Sequence, residues 1–154
     1  MRELVSILKE NKKTIASMES CTGGGFVNAL TNIEGASDVI KFSAVTYSNE
    51  FKIKMGVSNE IIDRYSVYSM ETAMEMSKQI SLYTNSNYGV GVTGKLNRID
   101  KNNLYGKDNI VYICIYDKDN NKYYKKEIEV LENSRKLNKE IVINEIIKLI
   151  KNNM

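Results

Sequence analysis

Two alternating stretches, NIVYICIYD at 109–117 and KYYKKEIEVL at 122–131, flank the tetrapeptide KDNN. β-Branched and aromatic residues at alternate places predict strands. Four turn-forming residues between them suffice only for an antiparallel hairpin, since a parallel pair needs a long crossover. That hairpin argues against a purely parallel sheet. The chain before it alternates strand and helix patterns. Residues 1–11 put Leu4, Val5, Ile7 and Leu8 on one side of a helix, and TIASM reads as a short buried strand. Thr22 to Leu30 is helical in spacing, VIKFSAVTYS at 39–48 reads as a strand, and NEFKIKM as a helix. SNEIIDRYS opens a short helix with Ser58 in the capping place, and a longer helix starts at Ser69. YGVGV is a small-residue strand, and Ser134 to Lys151 closes the chain as a helix. Strands mixed with helices and ending in a hairpin predict one α/β domain over 1–154 with a mixed sheet. Only LNRIDKNNLYGKDN, 96–109, is a polar stretch long enough to be a mobile loop.

Charge and cysteine usage narrow the function classes. The net charge of +3 arises from 22 basic and 19 acidic residues scattered along the chain, which permits an anionic ligand without indicating nucleic acid. MRELVSILKENKK is too polar for a signal peptide or a membrane span, so a cytoplasmic protein with no membrane partner is expected. Two distant cysteines and no histidine predict neither a disulfide framework nor a metal site. Cys114, inside IVYICIY, reads as a small buried hydrophobe, and the methionines at 70, 74 and 76 as packing residues.

Two glycine-containing stretches are candidates for chemistry. GVGVTGKL at 89–96 nearly spells a phosphate-binding loop, but Leu96 stands where a magnesium-holding hydroxyl is required. Gly89 and Gly91 are better read as room for close packing of a strand. MESCTGGG at 18–25 places Ser20, Cys21 and Thr22 before three glycines. Such a turn serves structure alone or aims backbone N–H groups at an anion or a developing oxyanion. Ser20 is the potential nucleophile. Without histidine its base has to be a lysine, carboxylate or tyrosine, and AVTYSNEFKIK offers Tyr47, Lys52 and Lys54. Burial of a lysine lowers its pKa toward working pH.

MESCTGG, EGASD at 34–38, VTYSNEFK at 45–52 and the later Val92-Thr93-Gly94 resemble, in order, the motifs of the CinA C-terminal domain family. The likeness runs over nearly the whole chain. It implies a three-layer α/β/α fold with a mixed, roughly five-stranded sheet. The activity it implies is that of a nicotinamide-nucleotide amidohydrolase: nicotinamide mononucleotide (NMN) is hydrolysed to nicotinic acid mononucleotide and ammonia, with no cofactor or metal. Carried over motif by motif, Ser20 is the nucleophile, Lys52 the base and Tyr47 a proton relay. Thr22, Gly23 and Gly24 form the oxyanion or phosphate turn, and Asn49, Thr93, Gly94 and Arg135 meet the substrate. The expected partners are a small nucleotide and a second copy in a homodimer.

Three departures accompany the resemblance. KLNRIDKNNLYGKDN replaces a glycine- and proline-rich substrate loop, and Tyr65 and Ser66 replace a histidine-glycine pair. A one-residue shortening after Lys52 leaves Lys54 as an alternative base. These favour, as a second reading, a nucleotide-binding module of the same fold that is inactive or altered in specificity. A third reading is a serine amidase for another small amide.

Overall fold

The computed structural model describes residues 1–154. Its elements are α1 (Arg2–Glu10), β1 (Ile15–Glu19), α2 (Gly25–Thr31), β2 (Ile40–Val45), α3 (Asn49–Lys54) and α4 (Asn59–Tyr65). They are followed by α5 (Met70–Thr84), β3 (Tyr88–Gly94), β4 (Ile110–Asp117), β5 (Lys122–Glu129) and α6 (Arg135–Lys151). The sheet order is β2-β1-β3-β4-β5. β1 pairs parallel with β2 and β3, whereas β3–β4 and β4–β5 are antiparallel. The predicted hairpin stands, with Lys118–Asn121 as its turn: Asp117 Oδ1 accepts the amides of Asp119 and Asn120 at 3.1 and 3.2 Å.

Alternation along the strands builds two cores. Val90 and Val92 of β3 with Val111, Ile113 and Ile115 of β4 face α1, α2 and α6. Ala16 and Met18 of β1 face the other way, onto Ile62 of α4 and Met76 and Ile80 of α5. Each such side chain contributes about 2 kcal/mol on burial, so an amphipathic helix is held to the sheet by its apolar stripe more than by propensity. The fold is therefore the expected α/β/α arrangement with five strands. The small residues of β3 have a packing reason: a Cβ at Gly89 would lie 1.9 Å from the Ser77 carbonyl, and one at Gly91 2.1 Å from that of Ala73. α5 thus crosses β3 at backbone distance. Met76 and Cys114 are fully buried, as anticipated.

Caps set where the helices begin. Ser48, Ser69 and Ser134 accept hydrogen bonds from the amides of Phe51, Thr72 and Leu137. Ser58 occupies the same place before α4, but its hydroxyl makes no capping bond. No helix is long and apolar enough to cross a membrane. The polar stretch after β3 is tied down at several points. Lys95 N–H donates to Ile110 at 3.0 Å, Lys95 Nζ meets Asp108 at 2.8 Å, and Leu96 packs into the larger core.

Candidate active site

The three parallel strands end on one edge of the sheet, and β1 lies between β2 and β3. The chain runs from β1 to β2 on one side and then crosses through α3–α5 to β3 on the other, which makes the carboxyl ends of these strands the natural crevice of an open α/β sheet. A cavity of about 800 Å³ opens there. Its lining includes Ser20 and Cys21 after β1, Tyr47 after β2, Gly94 and Lys95 at the end of β3, and Arg135 at the start of α6.

Backbone pairing fixes the nucleophile candidate. The Ser20 amide donates to Val92 at 3.1 Å, and the Glu19 carbonyl accepts from Thr46 at 2.8 Å, so Ser20 is held between both neighbouring strands. Lys52 comes from the middle of α3 and is 1% exposed. Its Nζ lies 3.2 Å from Ser20 Oγ and donates to the Thr46 carbonyl at 2.7 Å. Burial lowers its pKa to about 8, against a small opposing pull from Cys21. An appreciable fraction of the amine is therefore neutral at mildly alkaline pH, within reach of a serine hydroxyl. Burial pushes the Cys21 thiol up to about 12, so this neighbour stays protonated and does not compete as a nucleophile. Lys54 points away, pairing with Glu50 at 2.5 Å on the surface, 59% exposed. The alternative base is thus geometrically remote from Ser20's partner shell.

Tyr47 is differently placed from a relay. It is 65% exposed, and its hydroxyl accepts from Arg135 at 3.4 Å; no hydrogen bond joins it to Ser20 or Lys52. The lysine reaches the serine directly. Asn49 and Gly94 line the cavity, but Thr22, Gly23, Gly24 and Thr93 do not. The Thr93 hydroxyl is turned inward onto the Val67 carbonyl at 2.8 Å. Thr22 donates to Glu19 at 2.7 Å, and the Gly23 amide closes the turn on the Ser20 carbonyl at 2.9 Å. Of the turn's N–H groups, those of Cys21, Thr22 and Gly24 donate to no protein acceptor. Cys21 is the one on the cavity lining, beside Ser20.

Glu19 had no place among the residues singled out from sequence. It is fully buried, and its carboxylate accepts from Ser17 Oγ (3.2 Å), Thr22 Oγ1 (2.7 Å), Phe26 N–H (3.1 Å) and Val27 N–H (2.9 Å). It thereby holds the first turn of α2 and the SCTGGG bend in one cluster. The signal was present: a carboxylate inside the buried strand IASME has to find several donors, and a bend leading into a helix supplies them. Nothing resembling a metal centre accompanies it, since no group of three or more Cys, Asp or Glu side chains converges.

The comparisons with known proteins agree with this architecture. A model of the CinA C-terminal domain family matches residues 1–154. A CinA-like protein of Endomicrobium trichonymphae is 45% identical over 89 residues, 57% of this chain and 21% of the relative. A competence-damage inducible protein of Clostridium botulinum (strain Okra / Type B1) is 34% identical over 153 residues, 98% of this chain and 36% of the relative. The chain thus spans from about a fifth to just over a third of the curated relatives' length. Among solved structures, the competence/damage inducible protein CihA from Agrobacterium tumefaciens is similar with a TM-score of 0.84 at 25% identity, covering 96% of this chain and 92% of that one. The competence damage-inducible protein A from Klebsiella pneumoniae shares the fold at a TM-score of 0.89 and 18% identity, covering 98% and 92%. With the family model matched from the first residue to the last, the chain belongs to the CinA C-terminal domain family.

Proposed function

We propose that this chain hydrolyses a carboxamide through a Ser20–Lys52 pair, and that the amide is that of nicotinamide mononucleotide. The observation that carries the reading is the 3.2 Å approach of a buried lysine amine, its pKa lowered to about 8, to a serine hydroxyl on a cavity lining. The neutral amine removes the Ser20 proton as Oγ attacks the amide carbon. The oxyanion forms next to the Cys21 N–H, a donor worth roughly 3 kcal/mol in the transition state. Collapse expels ammonia, which takes the proton back from Lys52. Water, activated by the same amine, then releases the acid and restores Ser20. Arg135, whose only protein contact at the cavity is the long one to Tyr47, is a cation available to a phosphate, and Arg98, bonded only to backbone carbonyls, lines the same cavity.

Purified chain is incubated with nicotinamide mononucleotide and ammonia release is followed, with Ser20→Ala and Lys52→Met alongside. Turnover that falls about a thousandfold or more in both variants supports the pair. Turnover that survives either substitution rules it out. The loop after Gly94 favours a second reading, altered specificity or binding without turnover, because it brings Leu96, Arg98, Ile99 and Asp100 to the cavity wall. Nucleotide binding without ammonia, or activity on other amides alone, is its mark.

A further inference from the structure

One wall of the cavity is a continuous hydrogen-bonded belt in which neither Ser20 nor Lys52 takes part. Asn49 Nδ2 donates to Asn103 Oδ1 at 3.2 Å, and Asn103 Nδ2 donates to Asp100 Oδ2 at 3.2 Å. The Tyr68 hydroxyl donates to the same Asp100 oxygen, and the Asn102 amide to Asp100 Oδ1 at 2.9 Å. Asn49, Tyr68, Asp100 and Asn103 all line the cavity. The belt joins the start of α3, which carries Lys52, to the segment before α5 and to the loop after β3. The Lys95–Asp108 pair at 2.8 Å holds that loop at its base, with the Lys95 side chain 2% exposed.

The belt leaves particular atoms unengaged. A carboxylate offers about four lone-pair sites, and three protein donors occupy three of them, so Asp100 Oδ1 keeps one. Asn49 Oδ1 accepts from no protein donor. Partial burial of Asp100 raises its pKa, but the donors from Tyr68, Asn102 and Asn103 outweigh it and hold the carboxyl below its ordinary value. The only formal charge in the belt is therefore negative. A phosphate there would meet a carboxylate, whereas hydroxyl groups would find acceptors at both ends of the belt. The guanidinium of Arg135 lines the same cavity from the start of α6.

We propose that this wall is a sugar subsite, in which Asp100 and Asn49 accept hydrogen bonds from neighbouring hydroxyls of a substrate whose amide faces Ser20 and whose anionic group lies at Arg135. The assignment rests on the amide-hydrolase reading and extends it to residues of the loop after β3. It gives the substrate a direction in the cavity and predicts discrimination by hydroxyl groups as distinct from ring charge.

The test uses the full chain carrying Ser20→Ala, which cannot be acylated, and two probes: nicotinamide mononucleotide and its 2′,3′-dideoxy analogue. Both carry the same cationic ring and the same phosphate. Calorimetry is expected to give about tenfold or more preference for the diol, the effect of a hydrogen bond to a charged acceptor. Adding Asp100→Ala should abolish the preference, and Asp100→Asn should retain part of it. Tyr68→Phe, which frees the carboxylate while leaving it charged, should weaken the diol severalfold and leave the analogue unchanged. Circular dichroism on each variant separates misfolding from lost recognition. Equal affinity for the two probes overturns the subsite. Equal weakening of both probes by Asp100→Ala does so too, since the wall would then be reading ring charge. Ammonia release by the wild-type chain is scored separately. A diol preference that depends on Asp100 without turnover keeps the subsite and removes the hydrolase reading, while turnover without the preference does the reverse. Failure of both probes to bind overturns the subsite, as does failure of the diol alone.

Discussion

The two sides of the cavity are built by different physics. On the Ser20 side, position follows from burial: Glu19 and Lys52 are almost wholly buried, and each charged or polar head meets fixed partners from strand ends and helix starts. On the opposite side, Asp100 and Asn103 lie in a loop, and side-chain hydrogen bonds hold them to Tyr68 and Asn49. The first side cannot move without opening the core. The second can change its residues while the fold stays intact, which is where selectivity is most readily rewritten. The motif residues of the resemblance concentrate on the buried side, and the largest departure from the family pattern forms the loop side.

Substitutions on each side test this contrast. The largest effect is expected at Glu19: Glu19→Ala strands the Thr22 hydroxyl and the amides of Phe26 and Val27 in a dry site, while the Ser17 hydroxyl keeps Ser43 Oγ at 2.8 Å, and should cost roughly 3 kcal/mol or more in urea unfolding. A cost below 1 kcal/mol would erase the distinction between the two sides. Lys52 should act in the opposite direction. The folded chain releases its proton near pH 8, whereas the unfolded chain keeps it to about 10.5. Wild-type stability contributed by this group therefore rises with pH across that window, because the unfolded state binds more protons there. Lys52→Met should consequently stabilise the chain by roughly 1–3 kcal/mol below pH 8, with the gain fading toward pH 10.5. Urea melts at pH 6.5 and 10.5 check the sign, and an unchanged or reversed difference would mean the amine is solvated. The same titration predicts that ammonia release by the wild type climbs with pH through about 8. Asp100→Ala, on the loop side, should cost under about 1 kcal/mol while shifting substrate selectivity.

Much of the fold could be read from the chain. The hairpin around KDNN, the helix beginning at Ser69 and the tight fit implied by Gly89 and Gly91 each follow from local rules of turn, cap and side-chain size. These are short-range properties, written within a few residues of where they act. The direction of hydroxyls was not legible in this way. Thr22 and Thr93 lie in the motifs expected to face substrate, yet both turn inward, because Glu19 and the Val67 carbonyl need their protons. Likewise the polar 96–109 stretch reads as a mobile loop, and only the positions of distant partners, Tyr68 at Asp100, Asn49 at Asn103 and the core around Leu96, reveal how it is tethered.

The sequence by itself determined the strand and helix pattern, the antiparallel end of the sheet and the restricted set of groups that can act without histidine. Periodicity, turn chemistry and composition are carried by neighbouring residues, so they survive without coordinates. Only the tertiary structure decided that Lys52, and not Lys54, meets Ser20, for these residues are separated by 32 positions in sequence yet stand 3.2 Å apart. It also decided that Tyr47 turns to Arg135 and that Glu19 organises the bend. Such pairings depend on how the ends of three strands converge, and burial then fixes which charge is lowered, which is held and which is left to solvent.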